Sequence, residues 1–248
     1  MAQRTIVGIH AVRAALKHGA KRIERMQFDP VRKDRRLRQL LDEARVAGVQ
    51  PQPADKVTLD RISGGTNHQG VVATGTMPTS LGEADLDNLL GELQRPPFLL
   101  VLDGVTDPHN LGACLRSADG AGVDAVIAPR DRCGGLTPVV CKVASGAAET
   151  IPFVQVTNLA RSLRHLQDVH HIFVVGTSGD AGQDIYEADL TGALAVVLGA
   201  EGEGMRRLTR DTCDQLVRLP MAGQVESLNV GVATGVCLYE AVRQRGRR

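Results

Sequence analysis

Three stretches of the sequence combine glycine with small polar residues, and each directly follows a short segment with the composition of a strand. DGVTDPHNLGACLRSA follows residues 98–102, GAEGEGM follows 193–198, and PMAGQVESLNVGVATG follows 216–219. In open α/β sheets, ligands bind beyond the carboxyl ends of the strands. These three stretches are therefore the candidates for binding and chemistry.

The glycine-rich stretches lack the common phosphate-binding and hydrolytic motifs. Residues 199–204 have neither the lysine nor the spacing of a P-loop. Gly199, Gly202 and Gly204 form G-x-x-G-x-G rather than the dinucleotide pattern G-x-G-x-x-G. G-x-S-x-G and H-E-x-x-H are also absent from the sequence. This disfavours a Rossmann oxidoreductase and gives hydrolase activity no support.

The elements that would position these stretches are predicted from hydrophobic periodicity. After Pro97, continuous apolar runs alternate with segments of helical spacing, which predicts a parallel sheet covered on both faces. The predicted strands are 98–102, 125–128, 151–156, 171–176, 193–198 and 216–220. The predicted helices are 110–121, a turn and helix ending near 148, 159–167 and 228–245. In the last helix, one side carries Leu228, Val232, Val236, Tyr239 and Val242.

The N-terminal part is predicted to be a separate, small α/β unit. It has a strand and helix over 5–18, a helix over 37–47 and a β-like segment over 69–76. Proline, glycine and acidic residues then mark 77–97 as a linker that could contain a helix over 86–93. The predicted domains are therefore 1–76 and 98–248.

The overall composition is that of a soluble globular protein. The chain has 248 residues, 43% hydrophobic and 23% charged, which excludes disorder and collagen. No apolar run approaches the ~20 residues of a membrane span, and we predict no signal peptide. Five scattered cysteines without a C-x-x-C pair predict reduced thiols in the cytoplasm and no metal site.

Charge is distributed unevenly along the chain. Residues 1–76 contain 14 Lys and Arg against 7 Asp and Glu, whereas residues 77–248 contain 15 against 21. The densest run is VRKDRRLR at 31–38, a candidate RNA contact; a solvated helix face is the alternative. Scarce aromatic residues favour phosphate and shape contacts over base stacking. The candidate RNA-binding residues are Arg32, Lys33, Arg35, Arg36 and Arg38.

Three motifs, in order, resemble the signatures of the SpoU/TrmH (SPOUT) family. They are NLGACLR at 110–116, LGAEGEGM at 198–205 and LPMAGQVESLNV at 219–230, called motifs 1, 2 and 3 below. IVGIHAV and HQGVVA extend the resemblance to the N-terminal part, which is similar to an L30e-like module. Members of this family are RNA ribose 2′-O-methyltransferases that use S-adenosylmethionine. The resemblance implies a deep trefoil knot around motif 3 and a homodimer, with the last helix as its interface. It also implies that 1–76 is an RNA-binding domain and that 98–248 is the knotted catalytic domain.

The resemblance also implies roles for individual residues. The surrounding sequence is similar to members that methylate a guanosine in the peptidyl-transferase loop of 23S rRNA. For the arginine of motif 1, here Arg116, the resemblance implies the role of base. Because a guanidinium stays protonated at ordinary pH, we expect Arg116 instead to bind a phosphate and stabilise alkoxide charge, and a transiently deprotonated Arg116 is the open alternative. The residues expected around the acceptor ribose are Asn110, Arg116, Glu201, Ser227 and Asn229. The residues expected at the cofactor are Thr177, Gly199, Leu219 and Leu228.

Simpler interpretations exist for several of these residues. Asn110 could be only the N-cap of its helix, and Ser227 and Asn229 could cap the last helix. Glu201 could satisfy backbone donors of its own turn, and Cys114 is expected in the core rather than as a nucleophile. For the whole chain, two alternatives stay open. One is a 2′-O-methyltransferase of tRNA or of another rRNA site, and the other is a non-catalytic RNA-binding or ribosome-assembly protein.

Overall fold

The computed structural model describes residues 3–246, which fall into two compact units. The first unit extends to Thr79 and also takes in Leu136–Thr150; the second comprises Ser80–Gly135 and the chain from Ile151 onward. The sequence placed residues 136–150 in the C-terminal domain, whereas their contacts place them in the first unit. The functions assigned to the two domains stay predictions.

The first unit has a four-stranded mixed sheet in the order β1-β4-β2-β3. β4 is antiparallel to both of its neighbours, and β3, which contains two prolines, is an edge strand parallel to β2. The strands are β1 (Gln3–Val7), β2 (Ile23–Phe28), β3 (Pro51–Pro53) and β4 (Val71–Thr76). The helices are α1 (Ile9–Gly19), α2 (Arg35–Val46), α3 (Lys56–Ile62), α6 (Pro138–Val143) and α7 (Ala147–Thr150), numbered in chain order.

Helix α2 shows how the sequence forms the core of this unit. Leu37, Leu40, Leu41 and Ala44 recur on one face and are buried. The helix begins after Asp34, whose side chain accepts a hydrogen bond from the Leu37 N–H at 3.0 Å. The predicted helix over 37–47 is therefore confirmed, with two additional arginines in its first turn.

The second unit is a six-stranded sheet in the order β10-β8-β9-β5-β6-β7. All described pairs in it are parallel, as predicted. The strands are β5 (Phe98–Asp103), β6 (Ala125–Pro129), β7 (Phe153–Val156), β8 (Phe173–Thr177), β9 (Leu194–Gly199) and β10 (Gln215–Val217). The helices are α4 (Glu83–Glu92), α5 (Pro108–Ala121), α8 (Leu159–His170), α9 (Arg207–Thr212) and α10 (Val230–Arg245). The predicted knot stays a prediction from the resemblance.

The segment predicted as a linker is largely a folded part of this second unit. It contains α4, whose Leu86 and Leu90 are buried in the same core cluster as Leu163 of α8. Within residues 3–246, no helix is both long enough and apolar enough to cross a membrane.

Helix α10 buries a different face from the one its large side chains suggest. Thr234, Cys237 and Leu238 are fully buried, whereas Val232 and Tyr239 are 54% and 53% exposed. Small and medium side chains fit the close packing against α5. The large apolar side chains of Val232 and Tyr239 therefore remain accessible on the other side of the helix.

Candidate active site

The first two motifs follow neighbouring strands, at the point where the strand order reverses. From β5 the chain proceeds outward through β6 and β7, and β8 and β9 are on the other side of β5. β5 and β9 are neighbours, with Asp103 opposite Gly199 in register. Ligands of parallel α/β sheets bind at such switch points. The topology therefore brings the ends of these strands into the position of a ligand site.

One side chain from each motif joins a single hydrogen-bonded cluster. The Asn229 Nδ2 group donates to Asn110 Oδ1 at 2.8 Å and to Glu201 Oε1 at 2.6 Å. Asn110 lies on α5, Glu201 follows β9, and Asn229 immediately precedes α10. We call these three residues the motif cluster. Three of the five predicted acceptor-site residues thus meet, although 119 positions separate Asn110 from Asn229.

Backbone groups hold the motif cluster in place. Asn229 is the N-cap of α10, because its Oδ1 accepts from the N–H of Gly231 at 3.0 Å. Glu201 Oε1 accepts from the Val230 N–H at 3.0 Å, which places a carboxylate at the positive end of that helix. The interpretation of Asn229 as a cap is therefore correct, and it coexists with the cluster.

Other simple interpretations are wrong. Asp107, not Asn110, caps α5, since its carboxylate accepts from the Asn110 N–H at 2.9 Å. Glu201 bonds to α10 rather than to donors of its own turn. Ser227 is exposed and, among residues 3–246, makes no described hydrogen bond, so it does not cap α10.

Arg116 lies outside the motif cluster. It is exposed on α5, and no ion pair or hydrogen bond joins its guanidinium to another described residue. Six helical residues separate it from Asn110, which amounts to roughly 9 Å along the axis and about 120° around it. A guanidinium without a partner in the described chain is available to an external anion.

A part-buried ion pair near the second motif was not predicted from the sequence. Asp103, at the end of β5, accepts from the backbone N–H of Arg206 at 2.9 Å and from its Nε at 2.7 Å. The Asp103 side chain is fully buried. The available signal was a carboxylate that directly ends a continuous apolar strand. The pair fixes the far end of the motif 2 turn to the central strand.

The motif 2 turn itself requires glycine at its first position. Ala200 and Gly204 exchange backbone hydrogen bonds of 3.1 and 2.9 Å. A Cβ atom on Gly199 would lie 2.1 Å from the carbonyl carbon of Gly204. Any side chain at position 199 would therefore force the turn open and displace Glu201.

Three of the four predicted cofactor positions lie along one part of the sheet edge, and the fourth, Leu228, lies two residues before the start of α10. Thr177 ends β8 and is opposite Val217 in register; Leu219 follows two residues later, and Gly199 ends the next strand, β9. Leu219 and Leu228 are half-buried, so each retains accessible apolar surface. Apolar side chains with nearby free backbone are what a nucleoside slot requires. The residues present thus fit S-adenosylmethionine.

The predicted RNA-binding residues all lie in the first unit, at the start of α2. Arg32, Lys33, Arg35, Arg36 and Arg38 are all exposed. Arg32 pairs with Asp34 at 2.8 Å, whereas the other four have no described ion-pair partner between residues 3 and 246. The charged groups of these four side chains are therefore available to contact phosphate groups.

Cys114 is a core residue, as expected. It is buried on α5, with its sulfur 3.2 Å from Thr234 Oγ1 of α10. Burial raises the pKa of the Cys114 thiol to about 11. A neutral thiol is a poor nucleophile, so this residue supports packing between the two helices that carry the site.

Comparison with known proteins agrees with this geometry. The sequence model of the SpoU rRNA Methylase family matches residues 97–239, more than half of the chain. This chain belongs to the SpoU rRNA methylase family. A second family model, RNA 2′-O ribose methyltransferase substrate binding, matches residues 5–81. The family predicted from the three motifs is confirmed.

Relatives of this SpoU methylase match it over almost the whole length. A Ralstonia nicotianae protein named 23S rRNA (guanosine-2′-O-)-methyltransferase RlmB is 59% identical over 240 residues, which cover 97% of this chain and 95% of the relative. A Vibrio vulnificus protein of the same name is 56% identical over 245 residues, which cover 99% and 98%.

Solved structures share the fold. An RNA 2′-O ribose methyltransferase is 28% identical with a TM-score of 0.77, covering 98% of this chain and 89% of that one. The SpoU methyltransferase AviRb from Streptomyces viridochromogenes, in complex with the cofactor AdoMet, is 25% identical with a TM-score of 0.78, covering 99% and 92%. The predicted α/β class and the cofactor of the family are thereby confirmed.

Proposed function

We propose that this chain methylates the ribose 2′-oxygen of a guanosine in 23S rRNA, with S-adenosylmethionine as the methyl donor. The observation that carries the proposal is the near full-length identity of 59% and 56% to proteins named for that reaction. The motif cluster supports it, because one polar side chain from each of the three motifs meets the others beside the switch point of the sheet.

We propose that Thr177, Gly199, Leu219 and Leu228 hold the cofactor, within the predicted knot. When bound, S-adenosylmethionine supplies a sulfonium methyl group as the electrophile. The chain contributes accessible apolar surface of Leu219 and Leu228 for the adenosine. No charged side chain is among the four, which suits a neutral purine.

The motif cluster would orient the acceptor ribose. Asn110 Nδ2 and Glu201 Oε2 have no hydrogen-bond partner among the residues that the structure describes, so a donor and an acceptor are available to ribose hydroxyls. Asn229 keeps both side chains in place through its bonds to Asn110 and Glu201. Prior orientation of a weak nucleophile is a large part of such catalysis. Ser227, exposed beside this cluster in sequence, would add a further contact to the substrate.

Arg116 would anchor a phosphate of the target nucleotide and stabilise charge that develops on the 2′-oxygen. A guanidinium offers a planar set of five N–H donors and stays protonated at ordinary pH. Its exposure and its lack of a described partner leave all of them available. The proton leaves the 2′-hydroxyl for an acceptor other than this arginine.

We propose that the first unit binds rRNA in the cytoplasm through Arg32, Lys33, Arg35, Arg36 and Arg38. These residues would contact the phosphate backbone, since none is buried against other protein groups. Such contacts give affinity rather than sequence selection. The second unit would then select the guanosine that is methylated.

We further propose a homodimer that buries the accessible stripe of α10. Val232 and Tyr239 are more than half exposed on a helix whose opposite face is fully packed. Exposed apolar stripes of this kind mark protein–protein contacts. In analytical ultracentrifugation, the wild type should sediment as a dimer and V232D as a monomer. A dimeric V232D would place the interface elsewhere.

Ribosomal RNA from a deletion strain tests the proposed reaction. Mapping of 2′-O-methylation should show one guanosine of 23S rRNA unmodified, with full recovery after expression of the wild-type chain. Loss of a tRNA methyl group instead would support the tRNA alternative. Titration calorimetry with S-adenosylmethionine tests the non-catalytic alternative, which predicts no binding.

A further inference from the structure

Two imidazoles and a carboxylate converge on the surface of the second unit, between α4 and α8. Asp87 Oδ1 lies 2.9 Å from Nε2 of His165 and 3.0 Å from Nε2 of His170. One ligand atom from each residue lies within 4.8 Å of the other two. The two imidazole rings meet edge to face, with centroids 5.6 Å apart. Three potential metal ligands therefore point at one small volume.

The two helices hold these side chains in place. Leu86 and Leu90 of α4 and Leu163 and Leu166 of α8 are buried in one core cluster. His165 and His170 are five residues apart, roughly 140° around an ideal helix, so they approach Asp87 from different sides. The cluster remains accessible to ions, since the side chains of Asp87, His165 and His170 are 44%, 46% and 16% exposed.

We propose that Asp87, His165 and His170 bind a zinc ion, with water as the fourth ligand. Zinc takes imidazole nitrogen and carboxylate oxygen at about 2.0–2.2 Å in a tetrahedral arrangement. Ligand atoms around such an ion lie roughly 3.3 Å apart, so the two N–O separations need to widen by only a few tenths of an ångström. Both imidazoles would coordinate through Nε2 as neutral Nδ1–H tautomers.

The ligand chemistry selects the class of metal. Magnesium and calcium prefer sites made of oxygen ligands, whereas two nitrogens and one oxygen suit zinc. The residues lie on α4 and α8, and the motif cluster lies on α5, α10 and the turn after β9. The ion would therefore crosslink α4 to α8, and none of its ligands belongs to the motif cluster.

The sequence analysis predicted no metal site and did not single out these three residues. The ligands come from segments 78 and 83 positions apart and form no local motif. Because an unfolded chain does not assemble such a site, zinc binding should stabilise the folded state.

Calorimetric titration of the full-length, tag-free protein with zinc chloride tests the proposal. The wild type should bind one zinc ion per chain and unfold at a higher temperature with zinc than with a chelator. H165Q and D87N should each bind zinc at least about tenfold more weakly, since even loss of an outer contact costs about that much. D168N, on the exposed side of the same helix, should behave like the wild type.

Two further measurements keep the test decisive. The variants should unfold at nearly the temperature of chelator-treated wild type, which shows that they fold. Magnesium chloride should shift the unfolding temperature of none of them. Equal zinc affinity for H165Q and wild type would assign the ion to other ligands, such as the five cysteines, and overturn the proposal. Absence of zinc binding by the wild type would overturn it as well.

Discussion

The motif cluster and the basic segment at the start of α2 use polar side chains in opposite ways. The basic segment comprises Arg32, Lys33, Arg35, Arg36 and Arg38. In the motif cluster, Asn229 bonds to Asn110, Glu201 and the first turn of α10 at once. In the basic segment, Lys33, Arg35 and Arg36 are exposed and have no described partner within residues 3–246. The motif cluster is fixed by its own hydrogen bonds, whereas the charges of the basic segment are available to an external anion such as RNA phosphate.

The difference corresponds to two demands of the proposed reaction. Chemistry on a ribose hydroxyl requires groups held within fractions of an ångström, which a hydrogen-bonded cluster provides. Binding of a long polyanion requires charge within reach of phosphates, and tolerates mobile side chains. Arg116 lies between these extremes, because it is placed by a rigid helix yet unpaired.

Removal of Arg116 should have the largest effect on activity. R116A should abolish methyl transfer while affinity for S-adenosylmethionine stays within a few-fold of wild type, because the predicted cofactor residues belong to β8, motif 2 and motif 3. R116K should fail as well, since a point charge does not replace a planar fork at a phosphate. Calorimetry alongside a methylation assay separates the two effects. A parallel loss of cofactor affinity and rate would contradict the assigned role.

Substitution of Asn229 separates its two contributions. N229A should lose the cap and the cluster together, with about 1 kcal/mol less unfolding free energy and severely reduced activity. N229S should regain most of the stability, because serine caps helices well, but not the activity, since a hydroxyl cannot bridge Asn110 and Glu201. Urea unfolding and methyl-transfer rates test this. Full activity in N229S would show that Asn229 acts only as a helix cap and that its bonds to Asn110 and Glu201 are not needed for catalysis.

Neutralising the basic segment should change how RNA affinity depends on salt. Each phosphate contact contributes roughly −0.7 to −0.9 to the slope of log affinity against log salt. Replacing Arg32, Lys33, Arg35 and Arg36 by alanine should flatten that slope by up to about three units. The double variant R35A/R36A should give about half of this change, and K17A/K21A, exposed in the same unit, is its matched control. A quadruple variant with the full slope would make the segment a solvated surface.

The smallest effect concerns the stability of α2. Arg35 and Arg36 occupy its first turn, which contains no acidic residue, so they face the positive end of the helix dipole. R36E should raise the unfolding free energy by about 0.3–1 kcal/mol while it weakens RNA binding. Chemical unfolding and filter binding measure the two changes. Lower stability in R36E would mean that Arg36 makes a stabilising contact within the chain.

Much of the fold could be predicted from local sequence patterns. The apolar strand 98–102 and the helix around Leu37, Leu40 and Leu41 were located to within a few residues, because burial imposes visible periodicity. The start of α5 was placed two residues late, since Asp107 rather than Asn110 supplies the cap. The periodicity of α10 did not show which side is buried, because close packing on α5 selects Thr234 and Cys237 over larger side chains.

The sequence by itself determined the order of the three motifs, the parallel sheet and the excess of positive charge before residue 77. These are local features, visible within a few residues of one another. Only the tertiary structure decided which polar groups meet. Asn110 and Asn229, Asp103 and Arg206, and Asp87 and His165 are each at least 78 positions apart. Their contacts arise from the strand order and from helix packing, which no spacing along the chain encodes.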